Sequence, residues 1–155
     1  MKANKKSLFI NWKLFIGLII LISYIAFCLN YAIVFVVGSS MEPNYYDGDM
    51  YIATKNFEIS RFDSVIVKTT DNLIIKRVVG LPGEHLLYKD NRLYINDKLV
   101  ADKYNSFTDD FEAFIPENSY YCLGDNRQNS WDSRKYGSFD VSLVYAKVAG
   151  KLGGE

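Results

Sequence analysis

Residues 73–83 have the sequence Leu-Ile-Ile-Lys-Arg-Val-Val-Gly-Leu-Pro-Gly. The run of β-branched and aliphatic side chains ends at a Gly-Leu-Pro-Gly turn, a pattern that predicts a β-strand over Leu73–Val79. Side chains of a strand alternate between its two faces, so Lys76 and Arg77 point to opposite sides. One of these two basic residues must therefore face apolar neighbours.

Similar short apolar runs, separated by turn residues, recur on both sides of this strand. The predicted strands are Tyr51–Ala53, Ser64–Lys68, Leu86–Tyr88, Leu93–Ile95, Leu99–Val100, Tyr120–Leu123 and Val144–Val148. Asp90-Asn91 and Asn96-Asp97 tolerate the positive φ that tight hairpins require. Because no long amphipathic helical pattern follows residue 40, the sequence predicts a mostly β, antiparallel domain. The polar stretch Asp102–Asp110 is expected to be a mobile loop.

The N-terminal segment predicts a membrane anchor. Leu14–Leu29 is almost wholly apolar, and no charged residue occurs from Leu14 to Met41. A helix of about 20 such residues crosses the hydrocarbon core of a bilayer. Four lysines and no acidic residue precede the segment, so the positive-inside rule places the N-terminus in the cytoplasm.

The predicted organisation is a cytoplasmic segment over residues 1–13, a transmembrane anchor over 14–37 and an extracytoplasmic domain over 38–155. A cleavable signal peptide is the competing interpretation of the apolar segment. Signal peptides have a shorter apolar region followed by a small-residue cleavage site, and Cys28–Ala32 offers no such site. A buried helix of a soluble domain is disfavoured by the four lysines that open the chain.

Charge and composition exclude several function classes. Lys plus Arg and Asp plus Glu each total 18, so no charge imbalance favours a nucleic acid as partner. Cys28 lies in the apolar segment and Cys122 far beyond it, which predicts two free thiols. The chain has one histidine, His85, whereas zinc sites need several clustered ligands. We therefore expect neither a metal nor another cofactor.

A candidate nucleophile and a candidate base follow from two of these segments. Gly38-Ser39-Ser40-Met41 comes directly after the anchor, which keeps the Ser40 hydroxyl near the membrane surface. Burial of Lys76 in an apolar strand lowers its pKa from about 10.4 toward neutrality, where a lysine acts as a general base. Each feature alone has an ordinary alternative, a turn for the serine and an edge strand with a solvated lysine for Lys76.

The most specific motif occupies Gly124–Gly137. It reads Gly-Asp-Asn-Arg-Gln-Asn-Ser-Trp-Asp-Ser-Arg-Lys-Tyr-Gly and follows an apolar strand directly. The alternative is an ordinary solvated loop without a role at a site, but such loops rarely concentrate carboxylates, amides, guanidinium groups and hydroxyls between glycines. We interpret the motif as a hydrogen-bond and ion-pair network that holds a rigid loop beside an active site.

The three segments together resemble the type I signal peptidases, the S26 family of Ser–Lys proteases, and in particular its single-anchor bacterial branch. The resemblance runs from the anchor to about Lys151. It implies a β-sheet peptidase domain behind one transmembrane helix, with Ser40 as nucleophile and Lys76 as general base. It also implies supporting roles for Ser130, which would orient the lysine, and for the ion-pair loop residues Asp125, Arg127, Asp132 and Arg134.

This assignment agrees with elementary chemistry and leaves one question open. A neutral lysine activates a serine without histidine, and the backbone N–H of Ser40 is the natural first donor to the oxyanion. Some members of the family carry a serine hydroxyl two residues before the nucleophile, where this chain has Gly38, and Ser39 is the neighbouring candidate replacement. Further departures are Asn44 where threonine is usual, and Arg61–Val67, which lacks the family's Gly-Asp pair.

The position of Ser40 suggests the substrate. Ser40 lies some ten residues beyond the membrane-spanning run. A precursor that is still held by its own signal helix exposes its cleavage site at the same depth. The expected partners are signal-peptide-bearing precursors and membrane lipid, and the expected location is the cell membrane. The alternatives are a Ser-His-Asp triad through His85, and a non-catalytic or dedicated homologue that acts in pilus or surface-protein assembly.

Overall fold

A computed structural model describes residues 5–105 and 107–153 and contains two helices and eleven strands among them. The helices are α1 (Lys5–Asn30) and α2 (Ser133–Tyr136), and Val141–Leu143 forms a 3₁₀ turn. The strands are β1 (Tyr31–Phe35), β2 (Met50–Thr54), β3 (Ser64–Lys68), β4 (Leu73–Gly80), β5 (His85–Lys89), β6 (Arg92–Ile95), β7 (Lys98–Val100), β8 (Phe111–Phe114), β9 (Ser119–Leu123), β10 (Phe139–Asp140) and β11 (Val144–Leu152).

The strands form two antiparallel sheets, so the prediction of a mostly β domain behind an apolar helix is confirmed. The larger sheet has the order β1-β2-β11-β3-β4-β9-β10, and the smaller has the order β7-β6-β5-β8. The predicted strands all occur, with ends that differ by a few residues. Strands β1, β8 and β10 were not predicted, because they are short or merge with apolar neighbours.

Helix α1 is long and apolar enough from Trp12 to Asn30 to cross a membrane. The helix ends at Asn30, ahead of the expected end of the anchor at residue 37, and Tyr31–Phe35 pairs with β2 as a strand. The backbone N–H of Lys55 donates to the Asn30 carbonyl, and the Lys55 ammonium donates to the Cys28 carbonyl. The helix therefore leads into the larger sheet without a linker.

Strand β4 lies inside the larger sheet, between β3 and β9. Both of its faces are covered: Val79 packs with residues of the smaller sheet, and Val78 packs with Val65, Val67 and Cys122. Lys76 and Arg77 are therefore both buried, at 3% and 4% exposure. The alternative of an edge strand with a solvated lysine is excluded.

The segment expected to be a mobile loop, Asp102–Asp110, is tied to the core at both ends. The side chains of Asp102 and Thr108 accept hydrogen bonds from the buried Arg127, and Thr108 is 2% exposed. The Asn91 side chain accepts the N–H of Thr108 as well. The loop is polar because its side chains contribute to a buried hydrogen-bond network. The same polar composition led to the prediction of a mobile loop.

Candidate active site

The structure brings Ser40 and Lys76 together across 36 residues of sequence. The Lys76 Nζ lies 2.8 Å from the Ser40 Oγ and donates to the Ile75 carbonyl at 2.9 Å. Ser40 sits in the turn that follows β1, and Lys76 lies within β4. The pair has the distance that direct proton transfer requires.

The surroundings of Lys76 favour its neutral form. Burial lowers the pKa of Lys76 from 10.5 to about 8, and the more distant charges of Asp132 and Asp125 only partly oppose this shift. No carboxylate among the described residues forms a salt bridge with the amine. A buried lysine without an ion-pair partner is a base of the strength that serine activation needs.

The turn that carries Ser40 is fixed by the loop after β9. The backbone N–H of Asn126 donates to the Ser40 carbonyl, and its side-chain amide donates to the Ser39 carbonyl. The Asn129 amide donates to the Ser39 hydroxyl at 3.0 Å. The first two bonds hold the backbone of the turn, the third holds the Ser39 side chain, and the Ser40 hydroxyl is left to Lys76.

Gly124 lets this loop approach the turn closely. A Cβ added at Gly124 would lie 2.5 Å from the Ser40 carbonyl oxygen and 2.1 Å from the Ser130 hydroxyl oxygen. Real Cβ atoms do not reach such distances, so any larger residue would displace the turn. The glycine that opens the Gly124–Gly137 motif is therefore required by contact with the candidate nucleophile.

Ser130 does not make the contact that the resemblance implied. Its hydroxyl is buried beside Gly124 and has no hydrogen-bond partner among the described residues, and the Lys76 amine bonds to Ser40 and Ile75 instead. In this structure, Ser40 and the Ile75 carbonyl orient the lysine.

On the other face of β4, Arg77 forms a buried ion pair with Asp125. The two groups are joined by two hydrogen bonds, Nε to Oδ1 at 2.6 Å and Nη2 to Oδ2 at 2.5 Å. A third bond runs from Arg77 to the Phe62 carbonyl, and the Asn44 amide donates to Asp125. Asp125 thus joins the Ser40 turn to the strand of Lys76.

The other charges of the motif form an internal network, as expected, and extend it beyond the loop. Asp132 pairs with Arg134 inside the loop. Arg134 also donates to the Arg127 carbonyl, and Arg127 Nε donates to the Gly124 carbonyl. Burial alone would raise the pKa of Asp132, but hydrogen bonds from Arg134 and from the Gly124 N–H hold it below its ordinary value. Arg127 reaches outward, to Asp102 and Tyr88 of the smaller sheet and its loop. The motif therefore fastens the two sheets together as well as bracing itself.

A groove of about 410 Å³ opens beside the pair. It is bounded on one side by β1 and on the other by the first half of β4, because the larger sheet curls and brings these strands to face each other. The lining residues are Ala32–Gly38, Ser40, Met41, Ile66, Leu73–Lys76 and Tyr145. Since most of them are apolar and β1 pairs only with β2 among the described strands, the groove suits an extended peptide.

His85 lies on the smaller sheet and is engaged there. Its Nε2 is 2.6 Å from Glu112 Oε1, and its ring stacks on Phe114 with the centroids 4.4 Å apart. The Ser40 hydroxyl is paired with lysine, so the alternative of a Ser-His-Asp triad through His85 lacks its central contact. Within the described ranges, no group of three or more His, Cys, Asp or Glu side chains could hold a metal ion.

Sequence reasoning missed the residues that connect the site to the rest of the fold. Asn126 and Asn129 stand within the quoted motif, yet their contacts with Ser39 and Ser40 span almost ninety residues. Asp102 gave no signal at all, because its partner Arg127 lies 25 residues away. Alternation within a strand can predict burial, but it cannot identify a partner from another part of the chain.

Comparisons with known proteins agree on one family. The model of the family described as "Signal peptidase, peptidase S26" matches residues 9–152. Signal peptidase I V of Bacillus subtilis (strain 168) is 38% identical over 124 residues, which cover 66% of this chain and 74% of that protein. Signal peptidase I of Bacillus licheniformis is 33% identical, with 85% of this chain and 81% of the relative covered. A crystal structure of a signal peptidase I from Enterococcus faecalis V583 superposes with a TM-score of 0.52 at 31% identity, covering 63% of this chain and 98% of that one.

Proposed function

The chain belongs to the signal peptidase family, peptidase S26, and we propose that Ser40 is its nucleophile and Lys76 its general base. It is a membrane-anchored serine endopeptidase that removes signal peptides from precursor proteins. The observation that carries the residue assignment is the 2.8 Å approach of the buried Lys76 amine to the Ser40 hydroxyl. A buried amine that has no carboxylate in contact supports the role of a base.

The reaction follows from this pair. Neutral Lys76 accepts the proton of Ser40 while the Ser40 Oγ attacks the carbonyl carbon of the scissile peptide bond. The ammonium then returns that proton to the leaving amine, the C–N bond breaks, and an acyl-enzyme ester remains on Ser40. Lys76 next deprotonates a water molecule, and the resulting hydroxide attacks the ester carbonyl carbon. The C–O bond to Ser40 breaks, the Lys76 ammonium returns the proton to the Ser40 oxygen, and the signal peptide leaves with a new carboxylic acid group, which ionises.

The oxyanion of each tetrahedral intermediate needs preorganised donors. The backbone N–H of Ser40 is the first of them in this proposal. Gly38 offers no hydroxyl, and its own N–H donates to Asp47 at 2.7 Å. The hydroxyl of Ser39 accepts a bond from Asn129, so its proton remains available to a second acceptor. Ser39 is therefore the candidate for the second donor.

The groove beside β1 supports the substrate assignment. We place the precursor there as an added strand along β1, with its small side chains toward the apolar lining. Strand β1 begins directly after the anchor helix, so a precursor held in the same bilayer presents its cleavage site at this depth. We propose that the N-terminus is cytoplasmic and that the peptidase domain lies outside, from the end of α1 onward, with precursors and membrane lipid as partners and no nucleic acid.

The catalytic assignment is tested with full-length protein in detergent and a model precursor. Ser40→Ala and Lys76→Ala are expected to abolish the release of signal peptide, because each removes one half of the pair. The matched controls are Ser142→Ala and Lys89→Ala, which remove an exposed hydroxyl and an exposed amine that make no contact with Ser40 or Lys76 among the described hydrogen bonds. Cleavage at the wild-type rate by either site variant, or no cleavage by the folded wild type, would refute the assignment.

The proposed topology has its own test. Protease added to sealed, right-side-out membrane vesicles is expected to digest the peptidase domain and to leave the N-terminal segment intact. A tag at each terminus reports the two fragments on a gel. Protection of the C-terminal tag would contradict the proposed orientation without affecting the catalytic assignment.

A further inference from the structure

Tyr104, from the loop that follows strand β7, covers the buried Arg77. The Tyr104 ring centroid is 3.4 Å from the Arg77 guanidinium carbon, and Tyr45 stands farther away, at 6.0 Å. Tyr104 belongs to the loop after β7, whose Asp102 is fixed by Arg127. Asp125 and the Phe62 carbonyl accept hydrogen bonds from the N–H groups at the edge of the guanidinium. The Tyr104 ring covers its flat face.

Phe62 supports the same arrangement under backbone strain. It has a φ of 70°, a left-handed conformation that is unfavourable for a large aromatic residue. Its carbonyl accepts a bond from Arg77 at 2.8 Å, and its ring meets Tyr104 with the centroids 5.9 Å apart. Contact with Tyr104 thus helps to hold Phe62 in the conformation that presents its carbonyl to Arg77.

The covered guanidinium is connected to both members of the catalytic pair. Arg77 neighbours Lys76 in β4, and its partner Asp125 accepts a bond from Asn44 in the turn that carries Ser40. Asp125 also acts on Lys76 electrostatically, and Arg77 neutralises this carboxylate. Any loosening of Arg77 would therefore affect the position of Ser40 and the charge near Lys76 together.

We propose that Tyr104 is a positioning residue for the reaction. Its ring fixes Arg77, and through the Arg77–Asp125 pair it maintains the positions of Ser40 and Lys76 relative to each other. This inference rests on the catalytic roles proposed for those two residues. Tyr104 itself does not touch the reacting atoms. The ring, and not the phenol hydroxyl, supplies the contact with Arg77.

The test uses full-length Tyr104→Ala, Tyr104→Phe and the control Tyr94→Ala, which removes a tyrosine from the smaller sheet itself. In Tyr104→Ala we expect kcat/KM to fall about 10- to 100-fold, the cost typical of misplaced catalytic groups. Its pH–rate midpoint should move upward, because a freed Arg77 neutralises Asp125 less completely and the carboxylate then favours charged Lys76. Tyr104→Phe should restore both readouts, and Tyr94→Ala should change neither.

Two results would overturn the proposal. One is a Tyr104→Ala enzyme with the wild-type rate and midpoint. The other is a loss of activity that matches the loss of folded protein, measured by circular dichroism, while the pH midpoint stays in place. That second outcome would mean that Tyr104 only stabilises the fold.

A separate readout distinguishes this proposal from the catalytic assignment. Lysine labelled with ¹³C at Cε reports the titration of Lys76 by NMR, with its signal identified by its loss in Lys76→Met. An upward shift of the Lys76 titration in Tyr104→Ala supports the positioning role. It does so even if the wild type cleaves no more precursor than Ser40→Ala does, a result that would refute only the catalytic assignment. An unchanged titration overturns it, whatever the activity.

Discussion

The two faces of strand β4 carry two buried cations with opposite chemistry. Lys76 and Arg77 are adjacent and almost equally buried, at 3% and 4% exposure. Arg77 meets a carboxylate through two short hydrogen bonds, whereas Lys76 meets only a hydroxyl and a carbonyl. Burial alone would lower the pKa of either group, but Asp125 raises that of Arg77, and the pKa of Lys76 falls to about 8.

This difference shows that burial does not by itself make a catalytic base. The position of a counter-charge decides whether a buried cation keeps its proton. A paired arginine is a structural element that depends on its partner, and an unpaired lysine is a reactive group. The two alterations should therefore fail in different ways: loss of Lys76 removes the base, whereas loss of Arg77 removes a buried ion pair that supports the site.

The largest effect is expected on the Lys76 face. Lys76→Met keeps the length and apolar stem of the side chain but removes the base, so kcat/KM should fall by about 10²- to 10⁴-fold. The fold should not weaken at pH 7. Below pH 8 the native protein must hold a charged amine that burial disfavours, and this destabilisation is relieved only as the pH rises from about 8 to 10.5.

Cleavage of a model precursor and urea unfolding at pH 7 measure the two quantities in the same preparation. Lys89→Met serves as the control, since Lys89 is exposed on the smaller sheet. A Lys76→Met protein that is inactive because it is unfolded would contradict the separation of the two faces.

The next effect is expected on the Arg77 face, where a loss of stability accompanies the misplacement of Ser40 and Lys76. Arg77→Met leaves the Asp125 carboxylate buried with only the Asn44 amide as a side-chain donor. Breaking a buried ion pair from one side costs about 3–5 kcal/mol, and we expect the lower end because that amide remains. Urea unfolding measures the loss. The double variant Arg77→Met/Asp125→Asn should recover part of it, and a double variant as unstable as the single one would argue against the pair.

The sequence predicted the burial of β4 but not its consequences. Alternation showed that one of Lys76 and Arg77 must face apolar neighbours, while the fold covers both faces because β4 lies inside one sheet and beneath another. The carboxylate that distinguishes the two residues lies 48 positions beyond Arg77. Pairings across such separations depend on the folded topology, and local pattern carries no information about them.

The end of helix α1 at Asn30 was not predicted, for a different reason. Tyr31–Phe35 is as uncharged as residues 14–30 of the helix, so charge gives no break at Asn30. The break is conformational: the aromatic and β-branched residues of β1 find a partner strand in β2. Composition detects an apolar segment, but the end of a helix depends on what the next residues can pair with.

A smaller effect should appear in the pH profile of the wild type. The neutral form of Lys76 is the active one, so kcat/KM should rise through a midpoint near the Lys76 pKa of about 8 and level off above it. Between pH 7 and pH 9 this corresponds to about a tenfold increase. Asp132, Asp125 and Cys122 are the titratable groups that act on Lys76, and the two carboxylates keep the midpoint from falling further. A flat profile over this range would mean that Lys76 is not the titrating base.

The smallest effect is expected for His85→Ala, which tests whether any base other than Lys76 contributes. The imidazole is occupied by Glu112 and Phe114 on the smaller sheet, so its loss should leave kcat/KM and the midpoint near pH 8 almost unchanged. The measurement is the full pH–rate profile of this variant beside the wild type. A wild-type profile that rises near pH 6.5, the ordinary pKa of histidine, and loses that rise in His85→Ala would transfer the role of base to histidine. The different surroundings of Lys76 and Arg77 would then explain only how β4 is stabilised, and not how Ser40 is activated.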